Sequence, residues 1–120
     1  MRTVLLLANG LAHVRSIHEP HLRAAEFEVL SAGDAVTAID IALRSQPRAI
    51  LIDDGLPRSG AWEALDVLQM HPSLRRIPKI MIGWLMAGSR RAARLAGAQG
   101  FVAKPCVAAD LISEVRRVLA

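Results

Sequence analysis

Apolar and polar positions fall into alternating blocks along this chain, and the blocks switch repeatedly between strand and helix character. Thr3–Ala8 is a continuous apolar run cut off by Asn9-Gly10, the pattern of a strand buried on both faces. Leu11 to about Arg23 reads as helical, with Pro20 expected to kink or break it. Phe27–Ser31 is a shorter strand, and Glu28 places it at or near a sheet edge. Ala32-Gly33-Asp34 is a turn whose Asp34 can cap a helix over Ala35–Ser45. There Val36, Ile39, Ala42 and Leu43 share a face, and Gln46-Pro47 ends the helix. Ala49–Asp53 is the central strand, followed by a loop over Gly55–Gly60. Ala61–Met70 is a helix with Leu65 and Leu68 inward, closed by His71-Pro72. Pro78 opens the strand Lys79–Gly83, and Ser89–Ala96 is a basic helix stopped by Gly97. Gly100–Ala103 is a short strand ending at Lys104-Pro105. In the last helix, Ala108–Leu119, Asp110 sits in the first turn; Leu111, Val115 and Val118 form the apolar stripe, with Val107 just ahead.

Five strands and five helices in strict alternation predict a parallel sheet covered on both faces, with right-handed crossovers. No repeat, linker or low-complexity segment interrupts the pattern, so residues 1–120 read as one domain, with no effector domain expected after the last helix.

Composition narrows the picture only slightly. Hydrophobic residues make up 52%, which argues against disorder and for a real core. The formal charge is +4, carried by thirteen arginines and only two lysines. A solvated arginine-rich surface accounts for that charge, and an acidic partner is the functional alternative. Nucleic acid is not expected, because no recognition helix or aromatic platform appears. The single Cys106 excludes an internal disulfide and suits a reducing cytoplasm. Met1–Ala8 is too short for a secretory leader, and no apolar run approaches the roughly 18 residues of a membrane helix.

Chemistry is expected just beyond the carboxyl ends of the strands. Ala8 and Asn9 follow the first strand, Asp53 and Asp54 the third, Gly83 and Trp84 the fourth, and Lys104-Pro105 the fifth. In a doubly wound sheet these ends are neighbours. A carboxylate facing a lysine there suits phosphate chemistry, with the carboxylate as nucleophile and the lysine offsetting incoming charge.

These residues resemble a known family, the response-regulator receiver domains of the chemotaxis-regulator type, and the resemblance covers essentially the whole chain. Asp53-Asp54-Gly55-Leu56-Pro57 resembles the phosphoacceptor turn, with Asp53 at the acceptor position. Pro72 through Ile82 is similar to the family's approach to its fourth strand. Ala96-Gly97-Ala98-Gln99-Gly100-Phe101-Val102-Ala103-Lys104-Pro105 is similar to its fifth-strand signature, with Phe101 at the switch-aromatic position. The resemblance implies a flavodoxin-like three-layer α/β sandwich with strand order 2-1-3-4-5 and five helices. It also implies a cytoplasmic module of two-component or phosphorelay signalling rather than an enzyme, and a Lys104–Pro105 peptide that is often cis in the family.

The departures from the family bear on function. Two acidic residues that bind Mg²⁺ normally follow the first strand, and Ala8 and Asn9 stand there. A Ser or Thr normally follows the fourth strand, then a small residue, and Gly83 and Trp84 stand there. The Gly usual eight residues after the acceptor is Ala61, with Gly60 one place earlier. Asp54, one residue past Asp53, is expected to point away. The weak metal candidates are then Asp53, Asn9 and the carbonyl of Gly55, so Mg²⁺ should bind poorly. Asp53 and Lys104 are expected to pair directly instead. The expected function is an atypical pseudo-receiver acting through protein contacts. The alternatives are an Asp53-phosphorylated receiver and, more remotely, a small flavodoxin-like enzyme or nucleotide-binding protein, for which Asn9-Gly10-Leu11-Ala12 supplies no glycine-rich phosphate loop.

Four further features are secondary to the strand-end site. Arg90, Arg91, Arg94, Phe101 and Arg116 are the expected contact surface for a histidine kinase, a downstream effector or a second copy of the chain. Trp84 reads as a packing residue on the pocket rim or as a lid. His18-Glu19-Pro20-His21 reads as a solvated turn rather than a metal site. Cys106 reads as a buried structural thiol.

Overall fold

The structure, a computed structural model, describes residues 2–120, the side chain of Ser59 excepted. Its elements in chain order are β1 (Thr3–Ala8), α1 (Ala12–Ala24), β2 (Phe27–Ala32), α2 (Ala35–Ser45) and β3 (Ala49–Asp53), then a 3₁₀ turn (Pro57–Ser59). After it come α3 (Gly60–Met70), β4 (Lys79–Trp84), α4 (Ser89–Leu95), β5 (Gly100–Lys104) and α5 (Ala108–Leu119). All strand pairs are parallel, in the order β2-β1-β3-β4-β5. This is the parallel sheet covered on both faces that the alternation predicts, in the flavodoxin-like three-layer arrangement that the resemblance implies. Among the described residues no helix is long and apolar enough to cross a membrane.

Strand alternation divides the core in two. Leu6, Ala8, Ile50 and Ile52 point toward α2, α3 and α4, where Ala42, Leu65, Leu68 and Ala93 meet them. Leu5, Leu7, Leu51, Ile80 and Ile82 point the other way, toward Leu22 of α1 and Leu111 and Val115 of α5. Both faces of β1 and β3 are therefore covered, which is why their sequences are unbroken apolar runs. β2 is an edge strand, and Glu28 is exposed on it.

Three local expectations need correction. α1 runs through Pro20 without a break. Proline forfeits one helical hydrogen bond, but Leu22, buried against the sheet two residues later, holds the last turn in place. The His18–His21 segment is consequently helical, not a solvated turn, and His18 is buried. On α2 the inward residues are Ala38 and Ala42, while Val36 is 76% exposed and Leu43 also faces outward. Small residues on that face suit the close approach to α3, whose Ala61 and Ala64 are buried as well. The helix starts on Asp34, whose carboxylate accepts from the Thr37 amide at 2.8 Å, and ends at Gln46 in the left-handed region with φ 47°.

The amino end of β4 holds an unusual group. Lys79 is wholly buried, and its ammonium donates to Gln69 Oε1 at 3.0 Å and to the Arg75 carbonyl at 2.9 Å. The Gln69 side chain occupies the space where a Cβ on residue 97 would lie, at 2.4 Å, so only Gly97, at φ +108°, fits there. Burial with no carboxylate contact pushes the Lys79 pKa down to about 8. Between that pH and the ordinary lysine value of ~10.4, the unfolded chain holds the proton more tightly than the folded one. Stability from this group therefore rises with pH across that window. Denaturant titrations of the wild type and Lys79→Met at pH 7.5 to 10 (roughly the span of the two pKa values) should show the difference shifting in the wild type's favour as pH rises.

Candidate functional site

Register brings the carboxyl ends of four strands together. Ala8 of β1 lies beside Ile52, Asp53 of β3 beside Ile82, and Trp84 of β4 beside Lys104 of β5. Asp53, the last residue of β3, is 6% exposed. Its Oδ1 accepts from Lys104 Nζ at 2.7 Å and from the Gly55 amide at 2.7 Å, and its Oδ2 accepts from Asn9 Nδ2 at 3.0 Å. Asn9 Oδ1 in turn accepts from the Leu11 amide at 2.8 Å, at the start of α1. Arg15 donates to the Asn9 carbonyl. Asn9 is thus held by its side chain and its backbone, with its amide nitrogen aimed at the acidic group.

Lys104 makes a second ion pair. Its Nζ lies 2.8 Å from Asp54 Oδ1, and Asp54 Oδ2 accepts from the Trp84 amide at 3.1 Å. The expectation that Asp54 points away is overturned. Strand alternation holds only within the strand, and β3 stops at Asp53. Asp54 belongs to the turn, which swings its carboxylate over β4. Gly83 makes this possible, since a Cβ there would meet Asp54 Oδ2 at 2.9 Å. The absence of a side chain at residue 83 and the inward turn of Asp54 are one feature, which no local pattern could reveal.

Burial alone would lower the Lys104 pKa, but its hydrogen bonds and charge pairing with Asp53 and Asp54 outweigh that and hold it above the usual lysine value. The ammonium stays charged at any ordinary pH. Ala8 does not join the cluster. It packs in the core with Ile52 and Leu56. The Lys104–Pro105 peptide is cis.

Beside the ion pair lies a cavity of about 340 Å³, walled by Leu11, Val14 and His18 of the first loop and helix and by Trp84, Pro105 and Cys106 opposite. Trp84 is 56% exposed, so it forms the rim without packing into the protein, and its ring centroid is 6.0 Å from Lys104 Nζ. Cys106 is only half-buried, because it lies in the loop between β5 and α5, and burial pushes its thiol pKa up. His18 was missed as a pocket residue. The spacing of Leu11, Val14 and His18, three and then four apart, is the signal that marks one helical face.

On the other side of β5, Arg90 lies 5.2 Å from the Phe101 ring centroid, within cation–π range. The Phe101 amide donates to Glu114 Oε2 at 2.9 Å, and Arg117 pairs with the same carboxylate at 2.7 Å. One groove gathers Arg90, Arg94, Phe101 and Arg117. Arg91 and Arg116, expected on this surface, are exposed on α4 and α5 but do not line the groove.

Removing the ammonium leaves two adjoining carboxylates without a counter-charge. Lys104→Met should destabilise the fold by about 1–3 kcal/mol, and Asp54→Asn added to it should recover part of the loss, both read by denaturant titration. Gly83→Ser should force Asp54 off the Trp84 amide, seen as faster hydrogen exchange at that amide.

No family model matches the chain. Response regulator PleD of Caulobacter vibrioides is 32% identical over 114 residues, covering 94% of this chain and 25% of PleD. The chain thus spans about a quarter of that relative's length. The polar-differentiation response regulator DivK of Brucella anthropi is 26% identical over 99 residues, 82% of this chain and 80% of DivK. Among solved structures, NtrX from Brucella abortus superposes with a TM-score of 0.86 at 27% identity, over 99% of this chain and 27% of that one. The chemotaxis response regulator CheY4 of Vibrio cholerae superposes with a TM-score of 0.91 over 99% of this chain and 100% of that one, a likeness of fold at 22% identity. Relatives and architecture agree, and this chain belongs to the receiver domains of two-component response regulators.

Proposed function

We propose that this receiver works without Mg²⁺-dependent phosphorylation of Asp53 and transmits its signal as a protein-interaction module, not as an enzyme. The observation that carries the reading is the occupancy of the Asp53 carboxylate. Lys104, Gly55 and Asn9 donate three hydrogen bonds to it.

Mg²⁺ needs near-octahedral oxygen donors, typically including one or two carboxylates. The donor set fits it poorly. Asn9 presents an N–H to Asp53 where a metal-binding oxygen would serve, and its own oxygen accepts from the Leu11 amide just ahead of α1. Asp54 is turned to Lys104 and Trp84. Asp53 and the Gly55 carbonyl remain. Among the described residues no group of three or more His, Cys, Asp or Glu could hold a metal ion. Phosphoryl transfer relies on metal and positioned cations to offset the charge of the transferring group. Here the lysine is already committed to two carboxylates.

The expected contact surface is the α4–β5–α5 face. Arg90, Arg91, Arg94 and Arg116 give it positive charge, Phe101 gives it an aromatic anchor, and Leu95 adds exposed apolar area. Its charge suits an acidic patch on a histidine kinase or a downstream effector, and its apolar residues suit a second copy of the chain.

Incubation with acetyl phosphate and Mg²⁺ followed by intact-mass analysis tests the reading. The expected result is no stoichiometric adduct of about +80 Da (one phosphoryl group) in the wild type. An adduct that Asp53→Asn abolishes would instead establish a phosphorylatable receiver. Asn9→Asp, which replaces the donated hydrogen bond with a second carboxylate, should give a saturable Trp84 fluorescence response to low-millimolar Mg²⁺ that the wild type lacks.

A further inference from the structure

In a wholly parallel sheet every strand starts, and every crossover helix ends, at the same end of the molecule. Nine of the thirteen arginines lie at that end, opposite the strand-end site. Arg2, Arg48, Arg75 and Arg76 belong to the segments leading into β1, β3 and β4. Arg23, Arg44, Arg94, Arg116 and Arg117 occupy the last turns of α1, α2, α4 and α5. Hydrogen bonds tie these segments to one another. Arg2 donates to the Arg23 carbonyl at 3.0 Å and Arg117 to the Gln99 carbonyl at 3.2 Å. The Gln99 side chain accepts from the Lys79 amide at 2.8 Å, and the Lys79 ammonium reaches the Arg75 carbonyl.

The last-turn arginines offset the negative ends of their helices, which is structural reason enough for them. The four loop arginines have no such role. All four are exposed, and among the described residues none of them pairs with a carboxylate. Against them stand Glu26 and Glu28 on the β2 edge. The other acids gather at the far end, with Asp53 and Asp54 after β3, Asp34 capping α2, and Glu63 and Asp110 in the first turns of α3 and α5. Two exposed apolar side chains share the arginine end. Met70, the last residue of α3, is 79% exposed, and Leu95, the last of α4, is 73% exposed.

We propose that this end docks peripherally on the headgroup layer of an anionic phospholipid bilayer, with the arginines on lipid phosphates and Met70 and Leu95 entering the boundary with the acyl chains. Guanidinium groups pair with phosphate oxygens through two parallel hydrogen bonds, and clusters of about four to eight basic residues are the footprint of anionic lipid binding. Nucleic acid fits this end less well. Strand starts and helix carboxyl ends offer no helix or ribbon to a groove. The exposed tryptophans that could stack on bases lie elsewhere, Trp62 in the first turn of α3 and Trp84 at the close of β4. The charge asymmetry also sets the orientation. Asp53, Lys104 and Trp84 face away from the bilayer, where a protein partner can reach them. Docking of this kind does not depend on whether Asp53 accepts a phosphoryl group.

Co-sedimentation tests the proposal, with vesicles of phosphatidylcholine alone, vesicles of phosphatidylcholine and phosphatidylglycerol in equal parts, and double-stranded DNA as the rival polyanion. The mixed vesicles should bind the chain saturably, more weakly as salt is raised, and phosphatidylcholine alone should not bind it. Arg48→Gln should weaken binding about fivefold, and Arg75→Gln with Arg76→Gln more than about tenfold. Arg58→Gln, which removes an exposed arginine at the other end, should cost less than about twofold. Met70→Gln keeps the charge and should weaken binding about threefold by removing apolar contact. Every substituted side chain is exposed, and circular dichroism checks that each variant keeps the fold. The proposal is overturned if the mixed vesicles leave the chain in the supernatant, if phosphatidylcholine alone retains it equally, if Arg58→Gln costs as much as Arg48→Gln, if Met70→Gln changes nothing, or if DNA binds more tightly than mixed vesicles at equal phosphate concentration.

Discussion

One ammonium group organises the functional end of this molecule. Lys104 Nζ sits within 2.8 Å of carboxylates from both Asp53 and Asp54, and three strands must end in register for that to happen. The lysine stays charged because the carboxylates compensate for its partial burial. The carboxylates need the lysine in return, since two negative charges in a half-buried turn would otherwise repel. On the metal-free reading proposed above, a divalent ion would have to compete with the lysine for the carboxylates and with the contacts that Asn9 and Asp54 already make.

The surrounding fold supplies rigidity for that contact. β1 and β3 are covered on both faces by two separate apolar layers, so their carboxyl ends cannot slip in register without exposing a whole face of side chains. The neighbouring residues adapt to the ion pair in sequence-specific ways. Gly83 leaves room for Asp54, Asn9 supplies a donor in place of an acid, and Arg15 pins the Asn9 carbonyl. These are mutually consistent choices, each of which would be a local defect without the others.

Much of the architecture is legible in the sequence. The boundaries of β1, α2, β3 and α5 agree with the apolar pattern residue for residue, and the others differ by one or two positions at their ends, as helix and strand termini usually do. Errors arose where a local rule met a tertiary constraint. Pro20 was outweighed by the packing of Leu22, and the buried face of α2 was set by close contact with α3 in spite of the larger side chains of Val36 and Leu43. At the site, the pairing of Asp53 with Lys104 followed from residue types at strand ends. The inward turn of Asp54, the departure of Ala8 into the core and the arrival of His18 did not.

The chain's own order of residues determined the fold class and the shortage of acidic groups after β1. Both depend on local facts: hydrophobic period within a segment, and which residue follows the end of each strand. Tertiary structure alone decided how the side chains at those ends share one space. Alternation ceases to bind the chain once a strand gives way to a turn, and a helix shows its face to a cavity only after its packing angle is set. The direction of Asp54 and the place of His18 in the cavity wall therefore became visible only when four strand ends and the first helix were brought together.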